Sequence, residues 1–366
     1  MAYDIDQGTT DIDQDTSTAL ATLSTPTVPA ELSRAEGQQV AALIAKSKAP
    51  NTQAAYQSDL RQVAAWLLSA KPDLAASVVR LGKRKTPGLC GPLPVATVLA
   101  YIAANQDRLA YPSLRRHLAS LSVFHKLKGY QNPCRDELVK ATMSGLRRDQ
   151  DHRPKRATAL RLSDLKQIIY KLTFVKTLAA KRNIALVLVG WAGALRRSEL
   201  AALTWGDVVN VEHGIELRLR QAKTDTNSEG QLVALPLAAQ AWLCPVRNLE
   251  AWQSKCMAMG LDLSTPEGKA TPVFCPITQS DKPKLGRRLS GKAIGEIVKV
   301  SAASAGYDWD QFTAHSLRAG LITEAHESGK NEADIMATSR HTSTEVFRTY
   351  IRSSDAMAKA ASKGLL

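Results

Sequence analysis

The sequence predicts a mainly α-helical protein of two domains, the second carrying a small antiparallel β-sheet. Three observations lead there. Apolar residues recur at helical spacing over most of the chain, one stretch alternates apolar and charged residues as a strand does, and a basic polar run near residue 150 divides the pattern. At 366 residues the chain exceeds the usual size of one hydrophobic core, and 44% apolar residues can fill two.

Residues 1–35 read as a disordered acidic tail, rich in Thr, Asp, Gln and Ser and poor in large apolar groups. From about Leu32 to Leu127 the spacing is helical; Tyr56, Leu60, Val63, Trp66 and Leu67 fall on one face, and Asn51 and Thr52 suit the start of that helix. A loop rich in Lys, Gly and Pro, about Arg80 to Pro94, interrupts before the pattern resumes at Val95–Ala104 and Tyr111–Lys128. The expectation is an all-helical domain of four or five helices over residues 36–146. Arg147–Arg161 (RRDQDHRPKRATALR) has few apolar anchors and is taken as a basic linker.

The second domain, residues 162–354, opens with helical patterns at Leu162–Leu172 and Lys181–Leu195. The period then changes. Ile215–Arg220 alternates, Gln221–Gly230 is turn-rich and Leu232–Leu237 is apolar, which predicts a β-hairpin. Helical spacing returns over Ala238–Lys255 and from Gly291 to the C-terminus. No fixed-period repeat runs along the chain.

Charge points to an anionic partner. Lys and Arg number 48 against 34 Asp and Glu, a net +14. Asp4, Asp6, Asp11, Asp13 and Asp15, with no Lys or Arg, put −5 on residues 1–30 and leave +19 on the remainder. The N-terminus lacks the basic start and apolar core of a signal peptide, and the longest apolar stretch, Ile184–Leu195, is too short to cross a bilayer. Cys90, Cys134, Cys244, Cys256 and Cys275 are scattered and form no CxxC pair, so they read as reduced structural thiols of a cytoplasmic protein.

Four short stretches could carry chemistry, and each alone has an ordinary explanation. Arg196 precedes Glu199 by three residues, which orients a guanidinium fork for a phosphate but is also a common helical ion pair. Lys223 sits in the hairpin turn, where a lysine is ordinarily solvated yet could reach a leaving oxygen as a proton donor. His315 and Arg318 are neighbours at i and i+3, two potential cations that repel unless an anion lies between them. His341 and Tyr350 close the series, and a lone tyrosine near a C-terminus usually packs.

Taken in order, Arg196, Lys223, His315, Arg318, His341 and Tyr350 resemble the signature of the tyrosine recombinase (phage integrase) family. That signature has an Arg with a following Glu, a hairpin Lys, H-x-x-R, then His or Trp, and a nucleophilic Tyr nine residues later. The Asn-Thr-x-x-x-Tyr opening at Asn51 and the stretch Leu118–Gly129 resemble the family's core-binding domain, most like Cre-type members. The likeness covers roughly residues 40–366. The Gly that commonly precedes the motif histidine is Arg340 here, and Arg80–Pro94 looks like an insertion.

The resemblance implies a SAM-like helical core-binding domain, the recombinase catalytic fold, and cleavage and rejoining of duplex DNA through a 3′-phosphotyrosine. Tyr350 is then the nucleophile, Arg196 and Arg318 hold the non-bridging oxygens, and Lys223 protonates the 5′-oxygen. His315 accepts the tyrosine proton, His341 donates to the phosphate, and Glu199 orients Arg196. No metal or cofactor is implied, and GxxxxGK[ST] is absent from the chain. Candidate DNA contacts are Arg115, Arg116 and Lys126; Arg147, Arg148 and Lys155; Lys282, Lys284, Arg287 and Arg288; and Lys292, with base reading from the helices near Lys292 and Tyr111–Lys128. The implied partner is double-stranded DNA with an inverted-repeat site, bound on two sites by a homotetramer in which residues 355–366 dock on a neighbouring protomer; such a protein is nucleoid-associated when on DNA. A type IB topoisomerase or telomere resolvase shares this chemistry, and a catalytically silent DNA-binding regulator shares the fold.

Overall fold

The computed structural model describes residues 50–81, 85–149, 158–219 and 230–350 except 346, together with isolated positions between 33 and 43. The chain separates into two compact units, one ending at Pro154 and the other beginning at Lys155. The acidic tail, Lys155, Lys223 and residues 355–366 lie outside the described residues, apart from isolated positions in the tail.

The first unit packs α1 (Pro50–Ala70), α2 (Val95–Asn105), α3 (Tyr111–Leu127) and α4 (Glu137–Asp149) around one apolar core. Leu60, Val63 and Leu67 of α1 meet Tyr101 and Ile102 of α2, Leu114, Leu121 and Phe124 of α3, and Val139 and Met143 of α4. The unit is not all-helical. Val78–Leu81 (β1) and Thr86–Leu89 (β2) pair antiparallel, Val78 with Leu89 and Leu81 with Thr86, at the start of and within the region expected to be a loop from about Arg80 to Pro94. Pro87 and Gly88 disguise β2; a two-stranded sheet has only edges, where a proline without N–H is tolerated. Arg147 and Arg148 form the last turn of α4 rather than a linker.

Asp59 of α1 is fully buried, and the interior is built to hold its charge. Arg116 Nε and Nη2 donate to its carboxylate at 3.0 and 2.8 Å, Ser120 Oγ donates at 2.8 Å, and His117 Nε2 lies 3.1 Å away. On its other side, His117 Nδ1 lies at hydrogen-bond distance, 2.7 Å, from Tyr101 Oη. Burial raises the Asp59 pKa, but hydrogen bonds from His117, Arg116 and Ser120 overcome it and hold the group near 2, below 3.8.

The second unit is organised around α6 (Leu178–Ala192), buried throughout Ile184–Gly190 and surrounded by α5 (Leu162–Thr173), α8 (Pro245–Met257), α10 (Gly291–Ser304) and α11 (Ala314–Glu327). Thr177 Oγ1 caps α6 by accepting from Ala180 N–H at 3.1 Å, and Asp281 accepts from Leu178 N–H at 2.8 Å. Two glycines allow close crossings: a Cβ on Gly190 would lie 2.8 Å from Leu317 Cδ1, and one on Gly320 would lie 1.9 Å from the Leu160 carbonyl oxygen. Residues 158–161, read as linker, are pinned to this unit. Leu160 is buried and its N–H donates to the Ser316 carbonyl at 3.0 Å, while Arg161 pairs with Glu324 and Glu327.

The sheet has three antiparallel strands, ordered β3 (Val208–Val211), β4 (Gly214–Leu219) and β5 (Gln231–Pro236). The hairpin of β4 and β5 agrees with the sequence reading, with Ile215, Leu217 and Leu219 inward and Leu219 opposite Gln231. Strand β3 was not anticipated, because four residues reading Val-Val-Asn-Val show no alternation. Residues 238–240 are not helical; α8 begins at Pro245 after a short 3-10 turn. The remaining helices are α7 (Arg197–Ala202), α9 (Pro266–Ala270) and α12 (Glu332–Ser339). All five cysteines are free.

Asp59→Ala leaves the buried His117 imidazole and Ser120 hydroxyl, and the half-exposed Arg116 guanidinium, without their acceptor. It is expected to lower stability by about 3 kcal/mol in denaturant unfolding.

Candidate active site

Five of the six signature residues fall among the described residues, and the structure brings them together. Lys223 lies outside them. Arg196 is the N-cap of α7, and Glu199, at the third helical position, accepts from its backbone N–H at 2.8 Å and from its Nη1 at 2.7 Å. One short helix thus presents a guanidinium and the carboxylate that aims it. The turn before it passes through Ala194, which has φ +45°.

Helix α11 begins after Thr313, whose Oγ1 accepts from the His315 N–H at 3.1 Å. Arg318 lies one turn later and is buried, its Nη1 donating to the Ala194 carbonyl at 2.9 Å. Its Nη2 lies 3.1 Å from His341 Nε2. A guanidinium only donates, so Nε2 accepts, and the neutral ring carries its proton on Nδ1, 2.8 Å from Ser339 Oγ. The donor role implied for His341 therefore needs a proton on Nε2 that this arrangement does not supply.

Tyr350 Oη lies 2.7 Å from His315 Nε2, and its ring centroid is 5.3 Å from that of His341. Three residues earlier, Phe347 is fully buried against Ile322 of α11 and Ile335 of α12. That anchor fixes the turn bearing the phenol. Phe347 and Ser339 were not singled out from the sequence; their spacing to Tyr350 and His341 is the signal that could have found them.

Arg340 was noted only as a departure from a glycine. Its side chain is buried; Nη2 donates to Glu199 Oε2 at 2.8 Å and to the Ala194 carbonyl at 3.0 Å, and Nη1 to the Gly193 and Thr338 carbonyls at 3.0 and 2.7 Å. Two guanidiniums thus hold one buried carboxylate, and Arg318 joins them through the Ala194 carbonyl. Burial, together with Arg196 and Arg340, lowers the Arg318 pKa to about 10, which leaves it charged at neutral pH. Desolvation first, then Arg318 and Arg196, pushes His315 below its usual 6.5, and the same causes push His341 to about 4. Both imidazoles are neutral at pH 7. A neutral His315 at hydrogen-bond distance from a phenol can take its proton.

Residues 157–357 match the Phage integrase family. The chain belongs to it. An integrase/recombinase xerD homolog of Selenomonas ruminantium is 30% identical over 310 residues, 84% of this chain and 82% of that one. Recombinase cre of Escherichia phage P1 is 22% identical over 277 residues, 72% of this chain and 76% of that one. In fold, this integrase-family chain resembles the XerH site-specific recombinase bound to palindromic difH substrate, with TM-score 0.61 and 14% identity over 91% of this chain and 85% of that one.

The candidate DNA contacts are distributed over both units. On α3, Arg115 and Lys126 are exposed and share a helical face, whereas the Arg116 fork is engaged by Asp59. Arg115 and Arg147 line a groove with Lys140 between α3 and α4, and Arg148 is exposed beside it. In the second unit Lys282, Arg287, Arg288 and Lys292 are exposed and Lys284 is half-buried, on the loop before α10 and its first turn. Among the described residues no helix is long and apolar enough to cross a membrane.

The depressed His341 pKa has a stability consequence of definite sign. Between pH 6.5 and about 4 the unfolded chain takes up the proton that the fold refuses, so stability present above 6.5 declines as pH falls through that window. In denaturant unfolding at pH 7 and pH 4.5, His341→Asn is expected to lose roughly 2 kcal/mol less than wild type between the two conditions.

Proposed function

We propose that this protein is a site-specific DNA recombinase that cleaves and rejoins duplex DNA through a 3′-phosphotyrosine at Tyr350. The observation that carries the reading is the Tyr350 phenol, 2.7 Å from a neutral imidazole, at the rim of a site with three guanidiniums and one carboxylate. Such a site has excess positive charge and favours a bound phosphodiester.

In the proposed reaction the Tyr350 oxygen attacks phosphorus as His315 takes the phenolic proton. The new O–P bond replaces the bond to the 5′-oxygen, and the departing alkoxide takes a proton from Lys223, the general acid that the family resemblance assigns. Arg196 and Arg318 hold the non-bridging oxygens as charge builds on them. A phosphate that draws the Arg318 Nη2 away frees His341 Nε2, and the anion then favours a proton there; His341 becomes the expected donor only with DNA bound. The phosphotyrosine retains the energy of the broken bond, so a 5′-hydroxyl from a partner strand can reverse the step without ATP.

Double-stranded DNA with an inverted-repeat site is the proposed substrate, engaged by both units and recombined by four protomers on two sites. Support comes from the basic groove of Arg115, Lys140 and Arg147 and from Arg287, Arg288 and Lys292 around the N-terminus of α10. Cations in a first helical turn oppose the helix dipole, an arrangement that a bound phosphate relieves. A XerH recombinase on difH and a lambda integrase dimer on a COC′ core site share the fold.

The test is capture of covalent protein–DNA adducts from random-sequence duplex in EDTA, with wild type and Tyr350→Phe, followed by sequencing of the attached ends. An adduct formed by wild type and absent from Tyr350→Phe is expected. Specific binding without any adduct would turn the reading towards a silent DNA-binding protein.

A further inference from the structure

Arg340 occupies a conformation that L side chains avoid. It ends α12 with φ +57° and ψ +46°, the left-handed cap that favours glycine. Its guanidinium is also buried, and its Nε has no hydrogen-bond partner. Backbone strain, a desolvated cation and an orphaned donor are all unfavourable, so a helix cap alone does not account for this residue.

Its contacts suggest what the strain supports. Glu199 Oε2 accepts from both Arg340 Nη2 and the Arg196 N–H, while Arg196 Nη2 donates to the Arg340 carbonyl at 3.3 Å. The Ala194 carbonyl accepts from both Arg340 Nη2 and Arg318 Nη1. Arg340 therefore shares an acceptor with each phosphate-directed arginine. It also joins two turns with left-handed backbones, one leading to Arg196 and the other to His341. It touches neither Tyr350 nor His315 among the hydrogen bonds formed.

We propose that Arg340 is a positioning residue: its guanidinium fixes Glu199 and the Ala194 carbonyl so that Arg196 and Arg318 address the same phosphate. This deepens the phosphotyrosine reading above and rests on it. Two substitutions separate the side chain from the backbone. Arg340→Gly relaxes the left-handed turn and removes the guanidinium, whereas Arg340→Lys keeps the strain and the charge but loses the fork.

The experiment uses the full chain and a duplex enriched from a random library by binding to wild type, with a nick placed so that cleavage releases a short fragment bearing the new 5′-hydroxyl. Adduct rate, duplex affinity and thermal unfolding are measured for wild type and both variants. The expected result is affinity within twofold of wild type for each, adduct formation slowed at least tenfold in Arg340→Gly, and partial recovery in Arg340→Lys. A purely structural role would instead let Arg340→Gly cleave at the wild-type rate, which overturns the inference and leaves the phosphotyrosine reading intact. If Arg340→Gly is unfolded at the assay temperature, Arg340→Lys decides: folded, bound and slowed several-fold supports the role, and a wild-type rate overturns it. Absence of an adduct from wild type would overturn the phosphotyrosine reading and this inference with it.

Discussion

The site depends on one buried carboxylate. Glu199 is almost wholly removed from solvent and accepts from Arg196 and Arg340, while Arg318 is tied to the same cluster through the Ala194 carbonyl. A buried anion without partners would be strongly unfavourable, and so would three buried or half-buried guanidiniums without an anion. Each tolerates burial because of the other. The balance is unequal, three cations against one carboxylate; desolvation first, and then that surplus, keeps His315 and His341 neutral, and the surplus favours a phosphate.

Around this cluster the fold supplies rigidity at the points where the reactive groups leave the core. Helix α6 delivers the turn that carries Arg196, and Gly190 and Gly320 let neighbouring chain approach closely enough for Arg318 to reach that turn. Phe347 holds the tyrosine turn against α11 and α12. Chemistry and packing alternate along α11: His315 stays at the surface with Tyr350, Leu317 and Arg318 are buried, and Gly320 clears a path for Leu160.

Much of this was legible in the sequence, because spacing encodes it. Arg196 and Glu199 stand three apart, as do His315 and Arg318, and the alternation over residues 215–219 gave the inward face of β4 directly. What escaped was set by tertiary contact. Strands β1 and β3 are only four residues long, and Pro87 and Gly88 argue locally against a strand that pairing nevertheless stabilises. Arg116 looks like a surface cation until Asp59, 57 residues away, is found beneath it. The acceptor state of His341 and the burial of Arg340 depend on groups brought in from the distant 193–199 turn and from α11, which no local pattern reveals.

The most direct measurement of the central claim is denaturant unfolding of Glu199→Gln against wild type at pH 7. The substitution keeps the shape and removes the charge that the guanidiniums share. The account predicts a fall of about 3 kcal/mol in stability with an unchanged denaturant slope, as for a buried ion pair deprived of one partner. An unchanged unfolding midpoint would mean that the arginines do not depend on this carboxylate, and would contradict the account.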